Sequence, residues 1–133
     1  MPLKTSPGGS IFPYPYKGGE LFGLHLGSFG RNEAGVLARM QAEQAFLLEQ
    51  NRRIAIWMDF YETRITGRVV AGLVSYLEHT HALVSRLGLV GCSGLERWRI
   101  DRAIRRSAQL GALQVKYFRD PEDAKTWLVS ERE

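Results

Sequence analysis

Cysteine is scarce in this sequence, and its scarcity excludes several kinds of site. Cys92 is the single cysteine among 133 residues, so the chain can form neither an internal disulfide nor a CxxC metal or redox motif. Long apolar runs are also missing: none approaches the roughly 18 residues that span a bilayer, and the first residues lack the charged start and apolar core of a signal peptide. We therefore expect a cytoplasmic protein in a reducing compartment.

The loop motifs of common enzymes are missing as well. Neither G-x-x-x-x-G-K-[ST] nor a strand-coupled G-x-G-x-x-G occurs, which leaves nucleotide binding by those loops unsupported. The G-C-S-G-L segment at residues 91–95 departs from the G-x-S-x-G nucleophile elbow at its last position. Cys92 is the one credible nucleophile left, but a packing role as a small buried side chain is the simpler interpretation of this cysteine. We expect no catalytic residues, no cofactor and no metal ligands.

Length and composition indicate one globular domain. At 133 residues the chain is long enough for one hydrophobic core and short for two. The first ten residues carry two prolines and two glycines with little to bury, so we predict a flexible N-terminal arm over residues 1–10 and a domain over residues 11–133. The formal charge of +4 permits an anionic partner without requiring one.

One strand organises the predicted fold. The run Ile54–Met58 is apolar without alternation, which is typical of a strand covered on both faces. Asp59 ends the run, and Thr66, as N-cap, begins a helix predicted to extend to about Ser85. The apolar face of this helix comprises Val69, Val70, Leu73, Leu77 and Val84. In a parallel sheet, the turn between such a strand and helix lies at the functional edge.

The rest of the chain alternates between strand and helix periodicities. The predicted elements are a hairpin over residues 11–26, a helix over 32–50, a strand over 87–90, a helix over 95–108 that closes at Gly111, an outer strand over 113–117 and a last helix from 120. On the first of these helices, the predicted buried face comprises Val36, Leu37, Met40, Leu47 and Leu48. This order predicts an α/β domain with a mostly parallel sheet, an N-terminal antiparallel hairpin and β/α superhelical connections.

Several segments in this order carry a family resemblance. After the hairpin come I-W-M-D-F ending the central strand, I-T-G at a helix start, L-G-L-V-G-C-S before the third helix and K-Y-F-R-D-P-E-D-A-K-T-W-L near the end. From Leu21 to Val129 the chain resembles the STAS-like, SpoIIAA-like domains of the anti-sigma-factor-antagonist type. The resemblance implies a superhelical β/α module without catalytic chemistry that makes regulated contacts with a protein partner.

The resemblance also implies where that partner binds. In the phospho-switched members an aspartate closes the central strand and a serine in a D-S-S-G-type segment caps the next helix; Asp59 and Thr66 match these two positions. This chain departs from the pattern in having Ile65 where the acid before the acceptor stands, and in its shorter loop. The implied phospho-acceptor or partner-edge candidates are Asp59, Thr63, Thr66 and Gly67.

The third predicted helix offers an alternative function. Its outer face is rich in arginine and carries an exposed tryptophan; the candidates are Trp98, Arg99, Arg102, Arg105 and Arg106. Tryptophan and arginine dominate interfaces, guanidinium groups can stack on an indole ring, and the cluster could bind nucleic acid or acidic lipid headgroups with strong salt dependence. A solvated charged helix face is the simpler interpretation of the same pattern.

Self-association is predicted at the other end of the chain. Phe12, Tyr14 and Tyr16 place aromatic surface on an edge strand that only proline protects. We therefore expect a homodimer that uses this sheet edge or the open sheet face.

Overall fold

A five-stranded sheet forms the middle of the protein in the computed structural model, which describes residues 3–130. The elements are β1 (Lys4–Thr5), β2 (Ile11–Phe12), β3 (Tyr14–Tyr16), β4 (Gly19–His25), α1 (Glu33–Gln50), β5 (Ile54–Asp59), α2 (Gly67–Thr80), β6 (Val84–Val90), α3 (Gly94–Arg106), β7 (Val115–Phe118) and α4 (Pro121–Leu128). Single 3-10 turns lie at His81–Leu83 and Ala108–Leu110. The predicted class is confirmed: the protein is a small α/β domain with a mostly parallel sheet and an antiparallel hairpin.

The strands lie in the sheet in chain order, β3-β4-β5-β6-β7, with only β3 antiparallel to its neighbour. Helices α1, α2 and α3 pack side by side on one face of the sheet. Helix α4 returns across the other face, where it contacts β5, β6 and β7. We call these the three-helix face and the α4 face. No helix within residues 3–130 is long and apolar enough to cross a membrane.

The central strand β5 is buried on both faces, as its unbroken apolar sequence predicts. Ile54, Ile56 and Met58 join the core under the three helices. Ala55 and Trp57 point the other way, into the smaller cluster under α4. The side chains alternate between two cores because successive residues of a strand face opposite sides of the sheet.

Two predictions of where a helix ends and one of which residues it buries are wrong. The second helix ends at Thr80, and Val84 belongs to β6 instead of to the helix face. Helix α3 ends at Arg106, and Gly111, with an ordinary helical φ of −60°, follows a separate 3-10 turn instead of closing α3. Leu48 is 43% exposed instead of buried. In each case the local sequence pattern allows more than one position for the residue, in a helix, a strand or a turn, and contacts distant in sequence determine which one it takes.

The N-terminal segment predicted as a flexible arm is tied to the domain from residue 3 onwards. β1 pairs with β2, and the side chains of Ser6 and Ser10 are buried. The reason is Glu43 of α1, a buried carboxylate that accepts hydrogen bonds from Ser6 Oγ at 2.9 Å and Gly8 N at 2.8 Å. Burying a carboxylate is costly unless donors reach it; this segment supplies two donors to Oε2, whereas Oε1 has no partner in residues 3–130. Residues 1 and 2 of the predicted arm lie outside the described residues.

The aromatic edge predicted for self-association is only partly exposed. Phe12 is buried and packs edge-on against Phe22 and Phe46, at centroid distances of 5.2 and 5.9 Å. Tyr14 is exposed and Tyr16 half-buried. Phe12 therefore belongs to the core and is not available to a second chain.

Candidate functional site

The loop between β5 and α2 lies over the carboxyl ends of the neighbouring strands. Phe60 N donates to Val90 O at the end of β6, at 3.0 Å, and Tyr61 O accepts a hydrogen bond from Ser28 N, beyond β4, at 2.6 Å. The loop therefore joins both neighbours at the edge where parallel α/β sheets present their ligand-binding residues. We call this region the carboxyl edge.

Asp59 and Thr63 shape this loop from within. Asp59 is half-buried, and its Oδ1 accepts a hydrogen bond from Tyr61 N at 3.0 Å, which closes a tight turn after the strand. Thr63 is buried; its hydroxyl donates to Leu26 O at 2.6 Å and accepts from Phe29 N at 3.1 Å. Thr63 therefore uses its hydroxyl inside the domain, and Asp59 uses one carboxylate oxygen to fix the turn of the loop.

Thr66 is the N-cap of α2, as predicted. Its Oγ1 accepts a hydrogen bond from Val69 N at 3.2 Å and donates to a carboxylate oxygen of Glu33. The same carboxylate pairs with Arg68 at 3.4 Å. A phosphate on Thr66 would stand against Glu33, because the Thr66 hydroxyl that it replaces donates to that carboxylate. Gly67 is exposed, and a Cβ at this position would meet open space.

The first turn of α3 is fixed against the same loop. Glu96 Oε1 accepts a hydrogen bond from Ser93 N at 2.8 Å, which completes a capping box. Glu96 Oε2 accepts a second hydrogen bond, from Ile65 N at 3.3 Å. One side chain thus joins the start of α3 to the loop before α2. The residues that follow on α3 are thereby presented at the carboxyl edge.

Three large apolar side chains project from this region into solvent. Tyr61 is 62% exposed, Leu95 59% and Trp98 57%. We call these three residues the exposed apolar set. Of the three, the sequence analysis predicted only Trp98. The signal for Tyr61 was an aromatic residue next to the polar run at residues 62–64, and Leu95 was identified only as the start of a helix.

The arginines of α3 lie beside Trp98 on the exposed side of the helix. The guanidinium of Arg102 lies 5.2 Å from the centroid of the Trp98 ring, which confirms the predicted cation-π contact. Four exposed arginines of α3 make no ion pair with any of residues 3–130: Arg99, Arg102, Arg105 and Arg106. Asp101, on the same helix, accepts a hydrogen bond from Tyr117 Oη at 2.7 Å instead. The face therefore carries four arginines beside the single carboxylate of Asp101 and is positively charged overall.

Cys92 lies in the turn before α3 and packs against the core. Burial, reinforced by the carboxylate of Glu96, raises the pKa of its thiol to about 12. The group is a protonated thiol at neutral pH, and a protonated thiol is a poor nucleophile.

No three His, Cys, Asp or Glu side chains in the described part of the chain are grouped to hold a metal ion. Comparisons with family models, with curated proteins and with solved structures find no match to this chain. The site is therefore defined by its own geometry: a strand-end loop, two helix starts, an exposed apolar set and a face of unpaired arginines.

Proposed function

We propose that this protein is a non-catalytic, regulatory protein-binding module of the STAS-like type, which binds an acidic protein partner at the carboxyl edge. The observation that carries the proposal is the exposed apolar set, Tyr61, Leu95 and Trp98, presented at one end of the sheet. The binding surface extends from the β5-α2 loop along the exposed side of α3.

The composition of this surface supports a protein partner. Burying apolar surface contributes about 25 cal/mol per Å², so exposed side chains of this size are the groups that gain most from association. Tyrosine, tryptophan and arginine are also the residue types that recur as binding hot spots. The capping box and the Glu96 contact to Ile65 hold the two segments in place before binding, and a preorganised surface loses less entropy on association.

The charge of the surface supports an acidic partner. Arg99, Arg102 and Arg106 have no ion pair in residues 3–130, so a partner carboxylate would meet guanidinium groups that are free to form one. Complementary charge raises association rates and selects partners more than it raises affinity. The apolar set would then supply the affinity and the arginines the selectivity.

Thr66 enters the proposal as a structural residue. Its hydroxyl is engaged on both sides, by Val69 N and by Glu33, and a phosphate would meet the Glu33 carboxylate as a like charge. We propose that partner binding at this edge does not depend on phosphorylation of Thr66.

A second candidate function is binding of an anionic polymer such as nucleic acid. It is favoured by the exposed arginines of α3 together with the indole of Trp98, which offers a surface for base stacking. This candidate requires the arginines and Trp98 but gives no role to Tyr61 or Leu95.

Affinity capture from native lysate at low and moderate salt, with a matched pair of variants, tests the proposal. Leu95→Ser removes an apolar group at the carboxyl edge, and Leu48→Ser makes the same change at an exposed position on α1. We expect Leu95→Ser to lose a captured protein that Leu48→Ser and the parent retain at moderate salt.

The same experiment distinguishes the second candidate. Nuclease treatment before capture should leave the protein partner in place. Capture that disappears with nuclease, falls steeply with salt and is unchanged in Leu95→Ser would instead identify an anion-binding protein. Equal protein capture by Leu95→Ser and Leu48→Ser would contradict the proposed surface.

A further inference from the structure

The α4 face contains a cleft that the proposed function does not use. Helix α4 covers this face only in part, and beside it lies an open cleft with a volume of about 290 Å³. Its walls include Ile11, Tyr14, Leu21, His25, Trp57 and Lys125. Tyr14 and Ile11 are exposed at the rim, whereas Leu21 and Trp57 are buried. We call this the Trp57 cleft.

Trp57 lines the cleft from the central strand of the sheet. Its indole lies across the neighbouring strand at Gly23, where an added Cβ would come within 2.7 Å of Nε1. Glycine at position 23 is thus what allows the ring to lie there. The imidazole of His25 packs edge-on against the indole at 5.4 Å. Among residues 3–130 no hydrogen bond engages the indole N–H, so this donor is available to a ligand.

Lys125 brings a positive charge to the cleft. It reaches from α4, and its Nζ lies 5.9, 5.4 and 5.6 Å from the ring centroids of Tyr14, Tyr16 and Trp57. Glu122 is its carboxylate partner, at 2.7 Å. The side chain is only 15% exposed, and a cation held away from bulk water interacts strongly with a nearby anion.

We propose that the Trp57 cleft binds a small aromatic carboxylate. The ring of the ligand would lie against Trp57, Leu21 and Tyr14, and its carboxylate would meet the ammonium of Lys125 and the indole N–H. No carboxylate is among the wall residues, and Glu122, the partner of Lys125, is 64% exposed outside them, so a ligand carboxylate would share the ammonium with Glu122 from the cleft side.

Size and charge narrow the ligand class. The volume of about 290 Å³ lies at the lower end of the range for small-molecule sites, which fits a ligand of one or two rings. Three aromatic rings, those of Tyr14, Tyr16 and Trp57, surround one position that could attract a cation. A cationic ligand is nevertheless disfavoured, because the ammonium of Lys125 already occupies that position. An aromatic acid satisfies both the apolar walls and the charge.

The test is a titration of the whole isotope-labelled chain, followed by NMR at its indole N–H resonances. The probe is 2-naphthoate, compared with 2-naphthamide, which is neutral, and 2-naphthylmethylamine, which is cationic. We expect a saturable shift of the Trp57 resonance with naphthoate and at least about tenfold weaker binding of the amide, because a charge-assisted hydrogen bond is lost. Trp98 lies on α3, outside the cleft, and its separate resonance reports any binding of the anion to the arginines beside it, so a Trp57 shift with its own saturation curve is the expected result.

A matched pair of lysine variants tests the role of Lys125. Lys125→Met removes the charge at the cleft and keeps an apolar chain. Lys116→Met makes the same change at a lysine whose ammonium faces Phe118 and Trp127, outside the cleft. We expect Lys125→Met to weaken naphthoate binding about tenfold or more and Lys116→Met to leave it unchanged.

The ligand series keeps the proposal falsifiable even if Lys125→Met fails to fold, since it uses the unmodified protein. No saturable Trp57 shift would show that the cleft binds no such ligand. Equal binding of naphthoate and naphthamide, or tighter binding of the amine, would overturn the assignment of a carboxylate. Loss of binding in Lys116→Met to the same extent as in Lys125→Met would overturn the role of Lys125.

Discussion

The two faces of the sheet are built from the same strands but differ in how completely they are covered. On the three-helix face, helices α1, α2 and α3 cover strands β4, β5 and β6. Core side chains such as Leu24, Met58 and Leu73 have no exposed surface there. On the α4 face a single eight-residue helix covers part of the sheet. The residues beside it are aromatic or cationic, and a cleft remains.

The difference indicates that one face of the sheet contributes most of the stability and the other leaves room for binding. A closed apolar face contributes hydrophobic stabilisation in proportion to the area it buries. A partly covered face gives up some of that area, and the room it leaves can admit a ligand. Both candidate binding regions, the carboxyl edge and the Trp57 cleft, accordingly lie outside the closed core.

The largest effect is expected from a charge placed in the closed face. Met58→Asp should unfold the domain, because an unpaired carboxylate in the core costs several kcal/mol, comparable to the total stability of a domain. Thermal melting followed by circular dichroism measures it, with Leu48→Asp at an exposed position as control. A Met58→Asp protein that melts within a few degrees of the parent would mean that this face is not closed.

The same truncation on both faces of β4 should give unequal losses. Leu24 and Leu21 are both buried, Leu24 under the three helices and Leu21 beside the cleft. Leu24→Ala should cost about 2–5 kcal/mol of unfolding free energy, and Leu21→Ala about 2 kcal/mol or less, because the existing cleft means that less new cavity is created. Urea denaturation of both variants checks this, and equal losses would contradict the contrast between the faces.

The unfolding free energy of the domain should depend on pH through Glu43, a buried residue of α1. Burial raises the pKa of this carboxyl above its ordinary value of 4.5, against hydrogen bonds from Ser6 and Gly8 that lower it. Because the folded state binds this proton more tightly than the unfolded state, the contribution of Glu43 to stability is most favourable at low pH and is lost as the pH rises through the raised pKa. Glu43→Gln should remove this part of the pH dependence.

A pH series of urea denaturation curves measures that effect. Glu49→Gln, on the exposed side of the same helix, is the matched control and should keep the slope of the parent. If the parent and Glu43→Gln lose stability in parallel above pH 4.5, the buried carboxyl is not the cause.

Features that depend on short-range chemistry were predictable from the sequence. The helix N-caps at Thr66, Ser93 and Asp120 follow from side chains that bond to backbone groups two or three residues later. The burial of β5 on both faces follows from its unbroken apolar run. Chain order and strand periodicity together were sufficient for the class of the sheet.

Features that depend on contacts distant in sequence were not predictable. The N-terminal segment has almost no apolar residue from which its ordered structure could be predicted, because it is held by Glu43, a polar residue more than thirty positions away. Tyr61 and Leu95 look ordinary in the sequence and become a candidate site only when Glu96 joins α3 to the β5-α2 loop. The Trp57 cleft likewise depends on how far α4 extends over the sheet.

The smallest losses of stability are expected from removing one helix N-cap on each side of the sheet. The two variants should differ in which part of the domain opens more often. Thr66 Oγ1 accepts from Val69 N at 3.2 Å, and Asp120 Oδ1 accepts from Glu122 N at 2.8 Å. Thr66→Ala and Asp120→Ala should each cost about 1 kcal/mol. Helix α2 packs between two other helices, whereas the main contacts of α4 are with strands β5, β6 and β7.

Native-state hydrogen exchange can therefore distinguish the two faces by location. Thr66→Ala should lower protection across the domain, because α2 opens only with the core. Asp120→Ala should raise exchange mainly within α4, the helix that borders the cleft, because a short helix on a partly covered face can open by itself. Thr66→Ser retains the hydroxyl and is the control for α2. If Asp120→Ala lowers protection in β5 and α2 as much as in α4, the α4 face opens only with the whole domain and the two faces form one cooperative unit.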